Sequence, residues 1–282
     1  MLSKNIETFI GCDKSYSEAA TVLFGVPFDS TTSYRPGTRF ASKSIRAESY
    51  AIETYSPYQD KDMEDINVFD GGDLELSIGD TVTVLSQIES YVEQLLQDNK
   101  QPVMIGGEHL VTLPAVSAVH RHYPDLHVIH FDAHADLRND YLGVKLSHAT
   151  VMRRVWELLG DGKIYQFGIR SGDRSEFLWG NRHVCTQKFN FNGIDDVVKK
   201  VKDKPVYFTL DIDVLDPSIL PGTGTPEAGG VSFNELLNAI YQLRDLNIVG
   251  FDLVELSPVY DTSGASTAVA CKLLRELLLS LS

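Results

Sequence analysis

The chain has 282 residues, 43% of them apolar, enough for a sizeable core and ordinary for a globular protein. Its net charge of −14, from 25 Lys and Arg against 39 Asp and Glu, argues against nucleic acid and anionic membrane surfaces as partners and suits a small cationic substrate. The three cysteines lack C-x-x-C spacing and read as reduced packing residues; no secretory segment opens the chain, and no run of about 18 apolar residues could span a bilayer, so the expected compartment is the cytoplasm.

Strand-like and helix-like patterns alternate along the chain. Residues 21–26 read as a first strand, and Leu85, Ile88, Val92, Leu95 and Leu96 predict an amphipathic helix over roughly 81–99. A strand at 102–105 ends in Gly106-Gly107, where the backbone can turn sharply before a helix from about 109. Further strands are expected near 127–131, 164–169, 205–210 and 248–253, with helices near 149–159, 194–201, 232–244 and 266–279. Continuous apolar strands separated by helices imply a three-layer α/β fold, its mostly parallel sheet covered by helices on both faces. No composition break, repeat or linker appears, so residues 1–282 are expected to form a single domain. The first strand leads into Pro27-Phe28-Asp29-Ser30 and Gly106-Gly107-Glu108 lacks a third glycine, so neither is a dinucleotide turn.

In parallel sheets of this kind, sites form beyond the carboxyl ends of the strands. Asp132, His134 and Asp136 follow one apolar strand, Asp211 and Asp213 follow another, and His109 follows a third. Alternate residues of an extended chain share a side, so each group converges if its segment stays extended. Gathered there, the carboxylates would repel and desolvate one another without cations among them. Oxygen and imidazole donors without thiolate suit Mn²⁺ and tolerate Zn²⁺, Ni²⁺ or Co²⁺. Four carboxylates exceed the needs of one zinc ion and match a pair of ions sharing ligands, with a bridging hydroxide as nucleophile. An Asp after a strand is often only a helix cap, but three strand ends carrying such groups make coincidence a poor account. His120, His122, His127 and His183 read as structural, and His130, deeper in its strand, as a packing or hydrogen-bonding neighbour of the ligands.

These segments resemble the ureohydrolases, the family of arginases and agmatinases. The resemblance rests on Gly106-Gly107-Glu108-His109, Phe131-Asp132-Ala133-His134-Ala135-Asp136, Asp211-Ile212-Asp213-Val214-Leu215-Asp216-Pro217 through Pro226, and Gly250-Phe251-Asp252-Leu253-Val254-Glu255-Leu256-Ser257-Pro258, in the family's order. It implies an arginase-like sheet and two Mn²⁺ per chain, with His109, Asp132, His134, Asp136, Asp211 and Asp213 as ligands. It also implies a homo-oligomer, a trimer or hexamer, although Leu273, Leu274, Leu277 and Leu278 in the closing helix could be interface or ordinary core. Pro27-Phe28-Asp29, Arg35 to Phe40 and Ser257 to Asp261 are similar to agmatinases in particular. The loop after Asp136 lacks the Asn and Ser pattern with which arginases hold an amino-acid substrate. Two departures are Ala135, where agmatinases often carry Thr, and Ala149, where they often carry Gly; the first is expected to point away from the metals, and the second adjoins His148 and bears on substrate shape.

The implied reaction is hydrolysis of agmatine to putrescine and urea, in polyamine synthesis, by attack of the bridging hydroxide on the guanidinium carbon. Glu255 would hold the guanidinium fork bidentately. Asp136 would carry a proton to the leaving amine. His148 would contact substrate and shuttle protons with bulk water, as an imidazole titrating near neutrality can. Rival readings are hydrolysis of guanidinobutyrate, with Arg138 or Lys145 available for its carboxylate, or of arginine; more distant ones are a single-zinc deacetylase-like amidohydrolase and a non-catalytic metal binder.

Overall fold

The computed structural model describes residues 7–282. The first six residues of the expected 1–282 domain, on which the expectation of no secretory segment bears, lie outside them. Ten strands and eight α-helices follow in the order β1 (Thr21–Gly25), α1 (Ala41–Ser49), β2 (Tyr55–Ser56), β3 (Lys61–Asp62), β4 (Val68–Asp73), α2 (Thr81–Gln97), β5 (Gln101–Ile105), α3 (Thr112–His122), β6 (His127–Phe131), α4 (Val151–Leu159), β7 (Ile164–Ile169), α5 (Arg174–His183), β8 (Cys185–Lys188), α6 (Ile194–Val201), β9 (Pro205–Asp211), α7 (Phe233–Gln242), β10 (Asn247–Val254) and α8 (Ala265–Leu281). Apart from a small β2–β3 hairpin, the strands form one eight-stranded sheet in the order β4-β1-β5-β10-β9-β6-β7-β8. Every neighbouring pair in it is parallel, so all carboxyl ends lie along one edge.

Burial explains the layering. Every residue of β6 and β7 is buried, as a strand covered on both faces requires. On one face Ile129, Phe131, Phe208 and Leu253 pack with Ile45, Leu236 and Leu277 of α1, α7 and α8. On the other, Val128, Tyr207 and Val249 pack with Ile88, Val116 and Val155 of α2, α3 and α4. The expected three layers are therefore present. Leu273, Leu274, Leu277 and Leu278 are all fully buried in the first of these clusters, so they are core. No helix among the described residues is long and apolar enough to cross a membrane.

Strand order decides where along that edge a site can open. The chain passes from β5 to β6 across a gap, and only the last two strands of the sheet, β9 and β10, return to fill it. The carboxyl ends of β5, β10, β9 and β6 thus become neighbours at a reversal of strand order, where parallel sheets open a crevice.

Candidate metal centre and active site

The six predicted ligands meet at that crevice. His109 Nδ1 lies 3.1 Å from Asp132 Oδ2, 3.2 Å from Asp211 Oδ2 and 3.4 Å from Asp136 Oδ2. His134 Nδ1 lies 3.0 Å from Asp213 Oδ2 and 3.6 Å from Asp132 Oδ1. The donors form two groups that share Asp132. The route to this arrangement differs from the expected alternation along extended chain. Asp136 adopts a left-handed φ of 53°, and Asp213 sits in a 3-10 turn over Ile212–Val214 just beyond β9. Main-chain hydrogen bonds aim the carboxylates: Asp132 Oδ1 accepts from His134 N (2.5 Å), Asp213 Oδ1 from Ala133 N (3.1 Å) and Asp211 Oδ1 from Asp213 N (2.9 Å). These bonds replace strand geometry as the means of convergence.

Below the ligands runs a buried polar row invisible to strand-pattern reading. Asp252, Thr209, His130 and Gln166 are register partners across β10, β9, β6 and β7. The Thr209 hydroxyl donates to Asp252 Oδ1 at 2.6 Å and lies 3.0 Å from His109 Nε2. Its proton is committed to the carboxylate, so Nε2–H donates to Thr209 and Nδ1 is the nitrogen left to face the carboxylates. At the other end the Gln166 amide N–H₂ donates to His130 Nδ1 (3.0 Å), so His130 Nε2–H donates to Asp132 Oδ2 at 2.7 Å. Thus His130 hydrogen-bonds a predicted ligand. The signal missed in the sequence is that apolar strands β6, β9 and β10 each carry one polar residue at the same level.

Whether these residues fit cations can be judged from His109. Its Nδ1 is buried, faces three carboxylate oxygens and has no hydrogen-bond partner. Donors sharing one divalent ion at about 2.1 Å each stand about 3 Å apart, the separation seen here. Charge points the same way. Burial, then Asp132 and further Asp213, push the Asp211 carboxyl well above the usual range, and burial, then Asp132, does the same to Asp136. Burial pulls the imidazoles of His109 and His134 down, but the surrounding carboxylates outweigh it and hold both well above the ordinary value. Without cations the cluster holds protons, and a bound cation must displace them. Fewer remain as pH rises, so apparent metal affinity should increase with pH and uptake should release protons. Titration calorimetry in buffers of different ionisation heat measures that release; a buffer-independent heat would contradict it.

A cleft of about 300 Å³ opens over the cluster, lined by His134, Asp136, Glu255, His148, Arg138 and Asp173 among others. Glu255 follows β10 at a left-handed φ of 67°, uncommon for Glu and characteristic of functional sites. Its Oε1 accepts from His109 N at 2.7 Å. Burial and then Glu108 push its carboxyl up to about 8. His148 begins a 3-10 turn capped by Ser147 and is half-buried, its Nε2 3.3 Å from Ser33 Oγ. Burial pulls the His148 imidazole down to about 4, below the titration near neutrality expected of it. Arg138 donates to Asp173 Oδ2 at 2.8 Å and lies 3.5 Å from Glu176. Ala135 is buried in an apolar cluster and also lines this cleft.

The Arginase family model matches residues 19–280 of this chain. The chain belongs to the arginase family. Among relatives, an agmatinase of Bacillus subtilis is 46% identical over 277 residues, covering 97% of this chain and 96% of its own length. A guanidinobutyrase of Pseudomonas aeruginosa is 35% identical over 267 residues, covering 90% and 84%. The solved agmatine ureohydrolase of Thermoplasma volcanium superposes with a TM-score of 0.90 at 38% identity, covering 98% of this chain and 94% of that one. This arginase-family chain is thus an agmatinase-like ureohydrolase, a hydrolase of amidino C–N bonds.

Proposed function

We propose that the chain hydrolyses agmatine to putrescine and urea, with two manganese ions that would be held by His109, Asp132, Asp136 and Asp211 on one side and Asp132, His134 and Asp213 on the other. Bound there, such ions lower the pKa of a water and make it nucleophilic at neutral pH. Glu255 Oε1 is committed to the His109 main chain, leaving Oε2 to accept from the guanidinium and hold its carbon in place. As the C–O bond forms, Asp136 takes the proton released by the attacking water. It then returns that proton to the alkylamine nitrogen as the C–N bond breaks, so urea and a free amine result. His148, neutral before reaction, passes the further proton that the amine takes up at neutral pH.

The observation that carries agmatine over a carboxylate-bearing substrate is the state of Arg138. Its guanidinium lies between Asp173 and Glu176, two carboxylates to one cation. It is therefore not free for a substrate carboxylate, and the surplus negative charge favours an ammonium tail. Lys145, the other candidate, is exposed on the loop surface. Putrescine as product supports a place in polyamine synthesis. The single sheet that delivers every ligand supports reading the chain as one domain.

The test is urea release from agmatine, arginine and guanidinobutyrate with added Mn²⁺. Agmatine should exceed both by at least about 100-fold in kcat/KM, since a misplaced carboxylate leaves charges unpaired. Comparable turnover of guanidinobutyrate would overturn the assignment. Asp173→Asn, which frees Arg138, should narrow the ratio by about tenfold.

A further inference from the structure

His148 hangs from the loop before α4, yet the contacts that hold it come from elsewhere in the sheet. The segment after β1 lies against the turn after β5: Glu108 N donates to Phe28 O at 2.8 Å, and a side chain at Gly107 would collide with that same carbonyl, so only glycine permits the approach. The fully buried Glu108 carboxylate accepts from Thr31 N (2.8 Å), from Thr32 Oγ1 (3.1 Å) and, in a short bond, from the Thr31 hydroxyl. With its proton committed to Glu108, Thr31 Oγ1 offers a lone pair, and the His148 main-chain N–H donates to it at 3.1 Å. Two residues on, Ser33 Oγ meets the imidazole at Nε2, while Ser147 Oγ lies 3.3 Å from Nδ1. A chain of bonds therefore runs from the residue beside His109, through one threonine, to the backbone of His148.

We propose that Thr31 is a positioning residue: its hydroxyl, donating to Glu108 and accepting from the His148 main chain, sets the imidazole over the crevice at a fixed distance from the cluster. This rests on the reading of His148 as the proton relay. The consequence is that a residue 117 positions away in sequence, outside every ligand motif, sets how well His148 works. Valine has threonine's shape but cannot accept the N–H; serine can.

The experiment measures kcat and KM for agmatine in the manganese-loaded enzyme for Thr31→Val, Thr31→Ser, His148→Ala and the Thr31→Val/His148→Ala double variant, with metal content and thermal melting alongside. Loss of His148 should cost about 100-fold in kcat. Thr31→Val should lower kcat about tenfold with KM within about twofold and manganese content unchanged, and Thr31→Ser should restore it to within about twofold. In the His148→Ala background Thr31→Val should have no further effect on kcat, because the group it positions is gone. Full activity of His148→Ala would remove the relay and this proposal together. A damaged His148→Ala with an undamaged Thr31→Val, or with equal Thr31→Val losses in both backgrounds, would overturn the Thr31 role alone. A folding defect would register as a lowered melting temperature and a loss shared by both backgrounds.

Discussion

Glu255→Gln should load manganese like the parent enzyme and release urea from agmatine at least about 100-fold more slowly. Glutamine preserves shape and can keep the 2.7 Å acceptor contact with His109 N, so the imidazole stays where it is. What disappears is a carboxyl that, although burial lifts it to about 8, ionises when a guanidinium cation binds beside it. A buried cation deprived of its counter-charge costs about 3 kcal/mol or more, and about 1.4 kcal/mol is a factor of ten in rate. Because the contact anchors the ground state as well as the transition state, KM should rise while kcat falls. Metal content measured beside the kinetics separates this from a ligand defect. Parent-like turnover would show that the guanidinium is held elsewhere.

Asp132→Asn should lose both cations. Asp132 is common to the two donor groups, accepts from His130, and is the one carboxylate of the six ligands that reaches both imidazoles. Deleting a hydrogen-bonding neighbour of a metal ligand already costs about 10–100-fold in affinity, so a shared ligand should cost more. Asp213→Asn should chiefly empty the side built on His134. Thermal melting gives an independent readout: at a metal concentration a thousandfold above Kd the parent gains about 4 kcal/mol per site, and Asp132→Asn should gain little. Asp211→Asn separates charge from coordination. With no metal, burial and its neighbours raise the Asp211 carboxyl, so at any pH above the unfolded value that group is a destabilising element, and the destabilisation grows until pH passes its folded value. The amide removes it. Metal-free Asp211→Asn should therefore melt higher than the metal-free parent at pH 7, while gaining less from manganese. Retained metal-dependent stabilisation in Asp132→Asn would refute the shared-ligand arrangement.

The sheet and the meeting of the six His and Asp side chains at one edge were legible in the sequence because apolar strands and the residues that follow them obey short-range rules. Strand 164–169 and helix 194–201 match expectation residue for residue, since continuous burial and a sharp apolar stripe leave little choice. The elements not foreseen are those with ambiguous composition. The edge strand β4 reads VFDGGD, a turn by its glycines; it is a strand because it pairs in parallel with β1, while Asp70 meets buried Arg46 of α1. The other edge, β8, is the half-exposed CTQK, and α5 carries Gly180 in its last turn. The polar row beneath the cluster was illegible for a different reason. Thr209 and Asp252 lie 43 residues apart, and only strand register makes them neighbours. Likewise the charge-pairing of Arg138 and the depressed His148 titration depend on what surrounds them, which spacing along the chain does not encode.

The late return of β9 and β10 also orders events in time. A chain folded only as far as β8 lacks Asp211 and Asp213, which arrive with β9, and has no strand between β5 and β6 to fix how far His109 lies from Asp132. Inserting the final pair sets that separation and brings the last two carboxylates to the same edge. Completion of the sheet and birth of the cation-binding crevice are thus one step, and a manganese-responsive signal in refolding should arrive with the slowest phase, when residues far apart in sequence finally close.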